Sequence, residues 1–276
     1  MSPPPATDLA LERPRLGGPV TFANVFSSEW SKLWSLRSTR WSIIAAVISM
    51  VGLGIIIAAV QMGRWSHLSL NERQGIHPID LSLGGFSLAQ LAIGVLGVLV
   101  ISGEYTTGMI GSTVMAVPKR LPVLWAKLGV FAGVTFVLML VASFVAFFGA
   151  QAIFASHGLG AGLGSPHALR AIVGNALFLT VLGAICVGIG SLTRNTAGGI
   201  SVFVFIMFVV PGVSELLPSG VSDAIHPYLP SNAGQAIGQA VPDAHMLAPW
   251  TGFGLFVAYA VATLAAAAWQ MKRRDV

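Results

Sequence analysis

SIIAAVISMVGLGIIIAAVQM, residues 42–62, runs for 21 positions without a charge. As a helix this run would rise about 1.5 Å per residue and cover roughly 30 Å, the thickness of the hydrocarbon core of a bilayer. Five further apolar runs follow, at residues 84–102, 124–154, 169–192, 196–216 and 249–270. Backbone in lipid must pair its N–H and C=O groups internally, which leaves only helices and closed barrels. None of the runs alternates with the period of two that barrel strands require. The sequence therefore predicts an all-α membrane protein with six transmembrane helices.

The cations sort around these runs. Arg13, Arg15, Lys32, Arg37 and Arg40 precede the first; Lys119, Arg120 and Lys127 stand between the second and third. Arg194 separates the fourth from the fifth, and Lys272, Arg273 and Arg274 follow the sixth. The alternate connections hold only Arg64, Arg73 and Arg170. Cytoplasmic loops retain Lys and Arg, so a split of twelve of the fifteen cations predicts both termini in the cytoplasm. With acids counted, the inner side carries +7 and the outer side −2, which makes the net +5 of the chain. This balance matches anionic lipid headgroups and speaks against nucleic acid as a partner.

With 55% hydrophobic and 9% charged residues in 276, no stretch is left for a soluble domain of ordinary size, and residues 21–276 read as one membrane domain. Residues 1–20, rich in proline, read as a disordered cytoplasmic tail without the apolar core of a cleavable signal. The single cysteine, Cys186, falls mid-way along the fourth run, so it reads as a packing residue with no intrachain disulfide. Gly129 with Gly133, and Ala184 with Gly188, have the small-residue spacing that lets helices approach closely within a subunit.

Two segments carry more specific information. In residues 22–38, Phe22, Val25, Phe26, Trp30, Leu33, Trp34 and Leu36 recur at helical spacing, while Asn24, Ser27, Ser28, Ser31, Lys32, Ser35 and Ser38 fall opposite. This is the pattern of a helix lying in the headgroup layer, aromatic residues toward lipid, with Arg37, Arg40 and Trp41 anchoring the first span behind it. Residues 103–128, GEYTTGMIGSTVMAVPKRLPVLWAKL, leave the second span through Glu104, pass a short polar stretch and two prolines, and enter the third beside three cations. A carboxylate at mid-bilayer costs on the order of 3 kcal/mol, which places Glu104 at or beyond the boundary. The stretch after it reads either as a brief helix across the cytoplasmic face or as a plain loop.

Taken in chain order, an interfacial helix, six spans, Glu-Tyr-x-x-Gly after the second span, a Lys at the mouth of the third and a Pro-rich external connection before the sixth resemble the type-2 exporter permeases of the ATP-binding-cassette class. SSEWSKLWSLRSTRW, residues 27–41, is similar to the small actinobacterial members. The resemblance implies the type-2 exporter transmembrane fold, and a multi-pass protein of a bacterial plasma membrane. It implies a coupling helix that docks on a separate ATPase, with Glu104, Tyr105, Gly108, Ile110 and Thr113 as its transmission surface. Lys119, Arg120 and Lys127 would lie at the membrane boundary, and Trp30, Lys32, Trp34 and Arg37 in the interfacial helix. It further implies a second membrane subunit, identical or not. Many relatives carry Arg three residues after that Gly; Gly111 stands here, so any ion pair made by that Arg is missing.

No GxxxxGK[ST] loop occurs, so ATP and Mg are expected on the partner ATPase and no cofactor on this chain. The six histidines, His67, His77, His157, His167, His226 and His245, scatter over the external connections without HxH or HxxxH spacing, and the reading is no metal site. Residues 217–248, broken by prolines, read as short re-entrant helices capping the external end. Three classes of function compete. An ion-coupled carrier needs a titrating group inside the bilayer, and away from the run ends, where Lys127, Arg170 and Glu215 stand, none of the six apolar cores contains Asp, Glu, Lys, Arg or His. An embedded enzyme needs a constellation of nucleophile, base or metal, and the sequence offers none. A structural or sensory membrane subunit stays open, while the exporter permease accounts for all of these features together. Gln90, Asn175, Phe203, Phe205 and Met207 are the candidate path residues, and a wall of that kind suits an apolar or amphipathic solute such as a lipid, hydrophobic peptide or antibiotic.

Overall fold

A computed structural model describes residues 21–106, 108, 120–241 and 245–273. The expected tail, and Ile110, Thr113 and Lys119 of the expected coupling segment, lie outside the described residues, as does the side chain of Arg120. Among the described residues all regular structure is helical, and six helices are long and apolar enough to cross a membrane.

Helix α1, Phe22–Ser35, starts at Thr21, whose hydroxyl accepts from the Asn24 N–H at 3.3 Å. Leu36 is extended, with φ −79° and ψ 122°, and there the chain turns into the first span, α2, Arg37–Gly63. Two short helices follow. In α3, Leu70–Gln74, Ser69 and Glu72 form a reciprocal capping box; α4, Pro78–Ser82, opens on its proline. The remaining spans are α5, Phe86–Thr106; α6, Arg120–Ala155; α7, Ala168–Thr193; and α8, Thr196–Ser214. Helices α9, Ser219–Ile225, and α10, Pro230–Gln235, lie in the connection between the fifth and sixth spans, and α11, Pro249–Arg273, is the sixth span. At 36 residues α6 is about 54 Å long, well beyond the roughly 30 Å of hydrocarbon, so it tilts or projects from the membrane.

Helix α7 is the centre of the bundle, with 72% of its apolar window buried against 17% for α8. Around it pack α5, α6, α8 and α11, while α2 lies against α5 and α6, and α1 against α6. Lipid is as apolar as leucine, so what holds these helices is close contact rather than escape from water. Phe203 of α8 rests directly on Gly94 of α5, where any side chain would collide with its ring, and Gly188 of α7 meets Thr263 of α11. The pair Gly129 and Gly133 does not behave as its spacing predicts. Among the described residues nothing comes within 4 Å of a Cβ added at Gly133, and only the Phe26 ring approaches one at Gly129, at 3.6 Å.

Within α8, residues Phe205–Val209 form a π turn just before Pro211. Proline lacks the N–H that would bond the carbonyl four residues earlier, and its ring presses on that carbonyl; the wider turn relieves both conflicts.

The two ends of the bundle differ. At one end Ser102 and Thr196 hydroxyls meet at 2.9 Å, and Gln270 donates to the Leu192 carbonyl at 3.4 Å, which brings together the ends of α5, α7 and α11, the start of α8, and α1. Lys32, Lys127, Arg194, Lys272 and Arg273 gather there. The topology predicts that, in a Cys186→Ser background, a cysteine at Ser222 reacts with an impermeant maleimide from outside intact cells and one at exposed Ser28 does not. The reverse labelling pattern would overturn the orientation.

Candidate functional site

Helix α1 presents three faces. Val25, Glu29 and Leu33, four residues apart, point inward, whereas Phe22, Phe26, Trp30 and Trp34 form an exposed stripe in which the two indoles meet edge to face at 6.1 Å. Val25 and Leu33, which the spacing groups with the aromatic residues, are corrected to an inward face packed toward α6; the aromatic stripe faces outward, as do Asn24, Ser27, Ser28, Ser31 and Ser35 on the third face. Glu29 sits between them with 4% of its surface exposed.

A buried carboxylate needs partners, and Glu29 finds them on two elements, its own helix and α6. Lys32, one turn along, donates to Glu29 Oε1 at 2.7 Å and to Glu104 Oε1 at 3.2 Å. Lys127 of α6 donates to Glu29 Oε2 and, at 2.9 Å, to Glu104 Oε1. Two carboxylates and two ammoniums therefore alternate in a closed, formally neutral quartet that ties α1 to the end of α5 and the start of α6. Burial of the Lys32 ammonium acts to lower its pKa, but the Glu29 hydrogen bond and the charges of Glu104 and Glu29 outweigh it and hold the group above the ordinary 10.5. A raised lysine stabilises the fold fully below its unfolded pKa and loses that contribution as pH rises through the folded value. Titration of the purified protein toward high pH should accordingly leave the Lys32 contribution intact at neutrality and remove it only above 10.5, an onset that a Lys32→Met variant would lack in melting measurements.

The expected coupling residues part company here. Glu104 is a buried node, with 8% of its surface exposed, and does not stand on an outer transmission surface. Lys127, read at the mouth of the third span, lies inside α6 and is 5% exposed, so an apolar span end does carry a buried charge. The Tyr105 ring lies beneath the Arg194 guanidinium, 5.4 Å from its centroid, which links the end of α5 to the tight connection between α7 and α8. Gly108 has φ of 71°, a conformation that glycine adopts without strain. Arg37, expected within a helix over 22–38, is instead exposed at the first turn of α2, because the extended Leu36 ends α1 at Ser35. Sequence reasoning misses Glu29 as a site residue, although its spacing between Val25 and Leu33 marks it as sharing an inward face.

The candidate path residues do not converge. Phe203 and Met207 turn into the bundle and Phe205, 57% exposed, turns out of it. Gln90 is buried in α5. Asn175 holds structure together, since its amide donates to the Ala171 carbonyl at 2.9 Å and to the Gly238 carbonyl at 3.2 Å. That second bond belongs to the connection between α8 and α11, whose residues Ser231 to Gly234 and Ala236 to Gly238 are buried between α7 and α11. Asp80 accepts the N–H groups of Ala240 at 2.6 Å and Val241 at 3.3 Å, Arg170 donates to the Gln239 carbonyl at 2.9 Å, and the Tyr259 hydroxyl donates to the Tyr228 carbonyl at 2.8 Å. The capping segment read from the prolines is thus latched by side chains from α4, α7 and α11.

Compared with known proteins, the chain matches no protein-family model and no curated sequence. The fold and the quartet define the class of the molecule, a six-helix multi-pass membrane protein whose helix α1 is ion-paired to its second and third spans.

Proposed function

We propose that this chain is the transmembrane permease subunit of a type-2 ATP-binding-cassette exporter. Two such membrane subunits pair with separate ATPase subunits that hold ATP and Mg, and together they move an apolar or amphipathic solute out across a bacterial plasma membrane, with both termini of this chain in the cytoplasm. The observation that carries the reading is the quartet. An ATPase pushing on α1, or on the segment that leaves α5 at Thr106, moves elements whose charges are locked to one another and to α6. A displacement at the cytoplasmic end is therefore shared by the first three spans instead of being absorbed in one loop. The latched external segment supplies a closure at the far end that such a stroke can release.

A carrier driven by protons would need titrating groups along its path. Among the described residues the charged side chains stand at the two ends of the bundle, and this favours ATP as the energy source. Lys32→Ala tests the coupling role. The complex purified through a tag on this chain should still assemble, while its solute-stimulated ATP hydrolysis falls about tenfold, the equivalent of roughly 1.4 kcal/mol of lost coupling. Unchanged stimulation with normal assembly would remove the quartet from the mechanism.

A further inference from the structure

Beside the quartet lies a cavity of about 250 Å³ between α1, the start of α2, the end of α5 and the start of α6. Leu33, Leu36, Leu99, Val100 and Val130 make much of its wall apolar, while Glu29, Lys32, Glu104 and Lys127 make one side ionic. Three of the quartet's four carboxylate oxygens accept from lysine. The fourth, Glu104 Oε2, has no hydrogen-bond partner among the described residues, on a side chain that is 10% exposed. A buried acceptor without a donor is costly, and a carboxylate is the costliest kind. The quartet is neutral, so it exerts no net pull on an anionic head. What it lacks is a donor.

We propose that this cavity binds one bilayer lipid with a primary ammonium head, the ammonium donating to Glu104 and the adjoining carbons lying against the leucine and valine wall. The setting fits a bilayer lipid: α1 carries an exposed aromatic stripe suited to the headgroup layer, which places the cavity at headgroup depth. A trimethylammonium head has the same charge and no N–H, so it cannot meet the acceptor; a glycerol head brings hydroxyls and an uncompensated anionic phosphate. The site thus reads the head by its donors and charge together, and a bound lipid would brace α1 against α5 and α6.

Gly103 offers a test that spares the quartet. It lines the cavity, and a Cβ added there meets nothing within 4 Å, so leucine at this position extends into open space from within a helix and replaces none of the four charges. The delipidated chain, free of any ATPase, is titrated with short-chain phosphatidylethanolamine, phosphatidylcholine and phosphatidylglycerol and followed by native mass spectrometry. We expect one phosphatidylethanolamine held about tenfold more tightly than either of the others, since a charge-assisted hydrogen bond is of that order. Gly103→Leu should abolish that preference and leave the melting temperature unchanged, and Glu104→Gln should reduce it. Equal binding of the three lipids, or a preference that survives Gly103→Leu, would overturn the proposal. The measurement uses this chain alone, so a failure of the exporter reading leaves it standing.

Discussion

Replacing Lys127 with methionine should destabilise the protein by about 3–5 kcal/mol, among the largest effects expected of a single substitution. Lys127 is the most buried cation of the quartet, and its loss leaves Glu29 and Glu104 facing each other with only the partly exposed Lys32 between them. Such a site must recruit water or protonate a carboxylate, and both cost stability. The double variant Glu104→Met/Lys127→Met is expected to recover most of the loss, because it retains the neutral Glu29–Lys32 pair and replaces charge with side chains of similar volume. Reversible unfolding in mixed micelles reads both effects. A double variant as unstable as the sum of the two single ones would show that the four groups do not act as a unit.

Gly174→Ala should open the end of the bundle that residues 226–241 close. The added Cβ collides with the backbone of Ile237, which has no flexible side-chain end to yield, so the segment from Ala236 to Gly238 must leave its seat against α7. Overpacking of this kind costs about 1–3 kcal/mol, comparable with the hydrogen bonds from Asn175, Asp80 and Arg170 that hold the segment down. Limited proteolysis from the external side should cut residues 226–241 at least about tenfold faster than in the parent, a factor corresponding to roughly 1.4 kcal/mol. An unchanged cleavage rate would mean that the latch does not depend on that close approach.

The spans are readable from the sequence because hydrocarbon thickness and uncharged length leave little choice; each run appears within a few residues of its expected bounds. Differences arise where a neighbour decides. Glu104, Arg37 and Arg273 extend their helices past the apolar runs, since a helix continues where its charges find partners or reach headgroups. The quartet is beyond the sequence for a different reason. Glu29 and Lys32 show as an ordinary helical pair, and nothing in the spacing of Glu104 and Lys127 reveals that α1 folds back onto α6. The same holds for Asp80, Arg170 and Asn175, whose partners are backbone groups of residues 238–241, invisible to any motif. Phe203 and Phe205 look alike in sequence, yet two positions on a helix turn about 200°, so one seats on Gly94 and the other faces out.

The exporter reading stands most directly on the composition of the particle that this chain forms in its own membranes. The chain is extracted in mild detergent through a C-terminal tag, and the intact complex is weighed by native mass spectrometry with and without ATP and Mg. Two membrane subunits with two P-loop ATPase subunits are expected, and nucleotide bound only when the ATPases are present. A particle that contains this chain without any nucleotide-binding subunit, or nucleotide held by this chain alone, would contradict it.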